Sequence, residues 1–219
     1  MKRYRWLLGC CLFLSIGMLW AADEPDLRML QQKAAQSRDM EGYVGVCKYL
    51  YQTEENPELL LLYADSIHQL ATKSKKPEQL VEYYIWASEG NFIKGDFQQG
   101  YALKRKAIAL AEKAGLKFAI SQSCCDMGYY CNVDARYDSA RYYFRKGLEA
   151  GEDLSEAGEA CRTMLTNYAS SFLFEGKTDS ALVYTIRASE RSAADKDTAM
   201  LIENLNQLGT IYRRKKDLE

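Results

Sequence analysis

A chain of 219 residues that is 47% hydrophobic carries enough apolar material for one sizeable folded unit or two small ones. Its 29 basic and 30 acidic residues nearly cancel, so it lacks the electrostatic footprint for coating nucleic acid or an anionic membrane. Three prolines and 14 glycines are too few turn-formers for an all-β chain of many short strands, which leaves long helices.

The first 22 residues differ from the rest. Lys2, Arg3 and Arg5 precede an apolar run from Trp6 to Trp20, and Ala21-Ala22 gives way to Asp23-Glu24. A positive start, an apolar middle and small residues before a polar segment are the parts of a secretory signal. The run falls short of the roughly 20 residues of a membrane span, which favours cleavage. Bulky Leu19 and Trp20 two places before the candidate sites keep an uncleaved anchor open. Either way the chain is expected to be exported, periplasmic or at the cell surface, and possible membrane contact is confined to this segment. Leu7-Leu8-Gly9-Cys10 resembles a bacterial lipobox, but too little apolar sequence precedes Gly9 for it to work.

Residues 23–80 read as one or two degenerate helical hairpins. Leu27, Leu30 and Ala34 share a helical face, Tyr43 to Tyr51 form a second run, and Pro57 stands at the first turn of Glu58 to Ala71, where proline is tolerated. Lys73-Ser74-Lys75-Lys76-Pro77 is a polar break before the next helix.

From Val81 onward the sequence repeats itself. Cys124, Met127, Gly128 and Cys131 lie at i, i+3, i+4, i+7, one face of a helix; after a turn at Asp134-Ala135-Arg136, Tyr137, Ala140, Phe144 and Gly147 mark a second. The pattern recurs as Leu165, Tyr168, Ala169 and Phe172, then Gly176-Lys177-Thr178, then Ala181, Thr185 and Ala188, and once more as Leu205, Leu208, Gly209 and Tyr212. The small residues Ser88, Gly128, Ala169 and Gly209 follow one another at 40, 41 and 40 positions, giving units that start near 81, 121, 162 and 202. Small side chains at these slots imply that two helices cross closely there. The earliest unit is weakest, with Asn91 and Lys104 in slots that are apolar or aromatic elsewhere.

These residues resemble the tetratricopeptide repeat family, in its longer-period bacterial form, over about Val81 to Glu219. The resemblance implies an all-α, right-handed α-solenoid of antiparallel helix hairpins that binds a protein or peptide on its concave face, without catalysis or cofactor. The first helices of successive hairpins would line that groove: Glu82, Ile85, Trp86 and Glu89; Gln122, Cys125, Asp126 and Tyr129; Thr163, Thr166, Asn167 and Ser170; and Asn206, Thr210 and Arg213. One subtype of the family clamps a C-terminal carboxylate with lysine; Ile85, Cys125 and Thr166 stand at those places, so the clamp is not carried over.

Other chemistry has little to work with. The single histidine, His68, lies in an apolar helical run and reads as a half-buried structural residue, and no phosphate loop or nucleophile elbow occurs. No C-x-x-C pair is present, which leaves a zinc site without its usual ligands. Cys47, Cys124, Cys125, Cys131 and Cys161 read as small buried hydrophobes, with a disulfide the minority alternative. Arg213-Arg214-Lys215-Lys216 reads as a solvated helix terminus, not a nucleic-acid patch.

The last unit reaches Asp217-Leu218-Glu219 at a turn, so Leu205, Leu208, Ile211 and Tyr212 are expected to lack a partner on one side. On that reading the chain is the N-terminal part of something longer. The alternative to a plain scaffold is then the sensor half of a bacterial membrane-associated signalling protein, with a histidine kinase or transcriptional output beyond residue 219.

Overall fold

The computed structural model describes residues 26–54 and 56–216. The secretory or anchor segment expected at 1–22 and the turn expected at 217–219 lie outside them. Ten α-helices occur among the described residues: α1 Leu27–Ser37, α2 Met40–Thr53, α3 Pro57–Ser74, α4 Pro77–Lys94, α5 Phe97–Ala114, α6 Lys117–Val133, α7 Tyr137–Gly151, α8 Gly158–Phe174, α9 Thr178–Ala194 and α10 Thr198–Lys216. A 3-10 turn, Ser155–Ala157, leads into α8.

Local sequence sets the boundaries. Asp39, Asn56, Asp96 and Asp197 accept hydrogen bonds from the backbone N–H groups of Gly42, Leu59, Gln99 and Met200, satisfying donors that a helix N-terminus leaves orphaned. Pro57 and Pro77 open α3 and α4, where their missing N–H costs nothing. Gly95, with φ of +91°, closes α4 in the left-handed conformation that side-chain-bearing residues resist.

Each helix packs against the next, and among first helices α2 touches α4, α6 touches α8, and α8 touches α10. The chain is thus an all-α solenoid of antiparallel hairpins, α2–α3, α4–α5, α6–α7 and α8–α9, with α1 before them and α10 after. First helices begin at Pro77, Lys117, Gly158 and Thr198, the same 40-, 41- and 40-residue steps as the small residues.

The core runs along the stack. Val46, Leu50, Leu60, Ile67 and Trp86 fill its start, and Phe92, Met127, Phe144 and Met164 fill its middle. A small cluster of Leu173, Ala181 and Ile211 closes it. The close crossings fall where the small residues predict. A Cβ on Gly128 would sit 2.3 Å from the Phe144 ring, and one on Gly147 would sit 2.4 Å from Met164 Sδ. Ser88, Ala140, Ala169 and Ala181 are all fully buried.

Gly209 departs from this rule. Nothing lies within 4 Å of the place its Cβ would take, because no described helix covers that side of α10. Leu205 and Tyr212 on the same side are 52% and 56% exposed, whereas Ile211, also expected to lack cover, turns inward and is fully buried against Leu173 and Ala181.

Candidate functional site

The first-helix face holds the residues expected to line a groove at three depths. Gln122, Asn206 and Arg213 are exposed; Glu82, Ile85, Asp126, Tyr129, Thr163, Asn167, Ser170 and Thr210 are half-buried. Glu89, Cys125 and Thr166 are buried beneath this face and correct the sequence reading, and Trp86 keeps only 8% of its surface exposed.

At the α2–α6 end the floor is charged. Lys104, on the second helix α5, is fully buried and extends between α4 and α6 to bond the carboxylates of Glu89 and Asp126, the latter at 3.0 Å. Tyr130 donates to the other oxygen of Glu89 at 2.8 Å and stacks on Phe92 with ring centroids 3.7 Å apart. The residue that broke the apolar register of the repeat therefore binds two first helices through one ammonium. Burial alone would favour the neutral amine, but Asp126 and Glu89 together outweigh it and hold the Lys104 pKa above its ordinary value.

Aromatic side chains roof this floor. Trp86 Nε1 donates to Glu82 at 2.9 Å, and the Tyr51 ring of α2 meets Trp86 edge-on with centroids 6.3 Å apart. The Glu89 carboxylate, then burial, then Asp126 push the Tyr51 phenol well above its usual pKa. Burial also raises the Glu82 carboxyl. Among the described residues Glu82 forms no ion pair within 4.0 Å.

At the α8–α10 end the floor is neutral and amide-rich. Thr166 donates to Asn204 Oδ1 at 2.9 Å, Asn204 donates to Ser192 at 3.2 Å, and Gln207 donates to Ser170 at 2.8 Å. Asn132 of α6 donates to the Asn167 carbonyl at 3.0 Å. Arg162 is engaged by Asp195 and Asp197, each at 2.9 Å.

Sequence reasoning missed Tyr51, Lys104, Tyr130 and Asn204. Lys104 had left a signal, a charged residue in an apolar slot. Tyr51 left none, since it lies outside the recognisable repeats.

Elsewhere the molecule offers little chemistry. His68 is exposed, not half-buried as its apolar run suggested, and stacks on Tyr83 at 4.3 Å. All five described cysteines are free and buried, and burial pushes Cys47 and Cys124 up to about 12. Among the described residues no cluster of His, Cys, Asp and Glu could hold a metal ion. A cleft of about 230 Å³ opens between α7 and α9 over Cys161 and Leu165. Its two arginines are taken, Arg187 by Glu152 at 3.1 Å and Arg191 by Asp195 at 2.9 Å. No described helix is long and apolar enough to cross a membrane.

No protein-family model matches the chain, and no curated protein matches it. Among solved structures it is similar to the one titled crystal structure of BtubC (BKLC) from P. vanneervenii, at 13% identity and a TM-score of 0.66. The match covers 87% of this chain and 80% of that one. At that identity the likeness concerns the fold alone.

Proposed function

We propose that the chain is an exported scaffold of the tetratricopeptide type that binds an extended protein or peptide segment along its first-helix face, with no chemistry of its own. The observation that carries this reading is a row of polar side chains on successive first helices. Half-buried or exposed side chains capable of hydrogen bonding recur on α4, α6, α8 and α10, over a floor whose polar groups are tied to one another. An extended backbone laid across such a row finds donors and acceptors at each hairpin, while the buried network keeps the row rigid.

An unbiased library of nine-residue peptides, selected on the full chain, tests the reading. Selected peptides are expected to lose binding to a triple variant, Gln122→Ala with Asn167→Ala and Asn206→Ala, that keeps the parent's circular dichroism and Tm. Equal binding to parent and variant would defeat the groove assignment.

Export is supported by Lys2, Arg3 and Arg5 ahead of the apolar run. Residues 1–22 fused to alkaline phosphatase, which is active only outside the cytoplasm, should give an active fusion. An inactive, stable fusion would count against export.

A further inference from the structure

We propose that the corner of the groove formed by Tyr51, Glu82, Trp86, Asp126 and Tyr129 takes a lysine or arginine side chain of the bound segment, an inference that rests on peptide binding in the groove. Three helices deliver the parts. The Tyr51 ring from α2 is 37% exposed and edge-on to Trp86 of α4, and Tyr129 of α6 stands edge-on to Tyr130 with centroids 5.5 Å apart. The faces of such rings carry the negative part of the aromatic quadrupole, which attracts ammonium and guanidinium groups.

Charge points the same way. Glu82, Glu89 and Asp126 bring three carboxylates, and among the described residues Lys104 is the one cation bonded within this group. That ammonium is wholly buried below the groove, while the Asp126 side chain remains 28% exposed above it. Among the described residues Glu82 is bonded by the Trp86 indole and by no cation. Lys48, on the solvent side of α2, and Lys104 supply the positive fields that reach Glu82. An incoming cation thus meets aromatic side chains and an excess of carboxylates, and an incoming carboxylate meets repulsion. The opposite end of the groove, at Asn167, Ser170 and Asn206, also holds a half-buried carboxylate, Glu203 on α10, whose pKa burial raises, but among the described residues no aromatic ring stands against it.

The full chain carrying Trp6→Phe and Trp20→Phe keeps Trp86 as its one tryptophan, so its fluorescence reports on the corner directly. Peptides from the library above would be resynthesised with each basic residue replaced by glutamine, and titrated against this chain and against its Glu82→Gln and Tyr51→Leu forms. Expected are enrichment of arginine or lysine at one position, a shift in Trp86 emission on binding, and a loss of about tenfold in affinity on removing either the peptide's charge or Glu82's. Glu82→Gln preserves shape, so a folding defect is not confounded with the loss. Groove-dependent peptides with no basic preference, or basic peptides indifferent to both variants, would overturn this inference and leave groove binding intact. Failure of any peptide to depend on Gln122, Asn167 and Asn206 would overturn both.

Discussion

The Lys104 ammonium lies 3.0 Å from Asp126 Oδ2 without touching solvent, and its second bond, to Glu89, makes one side chain the tie between successive hairpins. Removing that tie leaves the buried Glu89 carboxylate, and the half-buried Asp126 beside it, without a counter-charge, and the penalty for an uncompensated buried charge exceeds the worth of the pair itself.

Lys104→Met is accordingly expected to cost about 3–5 kcal/mol in denaturant unfolding at pH 7. The double variant Lys104→Met with Glu89→Leu should recover much of that loss, because it removes one buried carboxylate with the ammonium. A single variant within about 0.5 kcal/mol of the parent would show that the network is not a structural tie.

Glycines at equivalent repeat positions should respond oppositely. Gly128→Ala places a Cβ against the Phe144 ring and should destabilise by about 1–3 kcal/mol. Gly209→Ala meets open space in a helix and should stabilise by about 0.5–1 kcal/mol. Thermal unfolding of the two variants side by side decides it.

The same contrast applies to leucines 40 positions apart. Leu165, 4% exposed, should cost about 2–5 kcal/mol when cut to alanine, whereas Leu205, 52% exposed, should cost no more than about 0.5 kcal/mol. Comparable losses at both sites would mean that α10 is covered in solution.

The Glu82 carboxyl has a pKa raised in the folded state by burial, so the unfolded chain releases this proton first as pH rises. Its ionisation therefore subtracts stability at pH values above the ordinary carboxylate pKa. Glu82→Gln should raise Tm at pH 7 and lose that advantage at pH 3, where both forms are uncharged. A Tm gain that is independent of pH would contradict the assignment.

The repeat was legible because packing imposes it. Gly128 and Ala169 must be small where helices cross, and each such constraint recurs once per hairpin, so the period appears in the letters themselves. Gly209 shows the limit: composition fits the slot, but the contact that gives the slot meaning depends on a neighbour, not on the residue. In the groove, helical periodicity places Glu89, Cys125 and Thr166 on the lining face. Glu89, Cys125 and Thr166 prove buried because adjacent first helices converge on them, a relation between helices that no single-helix periodicity contains. Lys104 is visible in the sequence as an irregularity, and its role depends on the placement of α5, which sends this side chain between α4 and α6.

The five described thiols are distributed along the stack, Cys47 in α2, Cys124, Cys125 and Cys131 in α6, and Cys161 in α8. Each is inert while covered, since burial disfavours the reactive thiolate. Alkylation therefore timestamps the loosening of particular hairpins: the order in which these positions become modified under mild denaturant is a record, written in covalent adducts, of the order in which the stack comes apart.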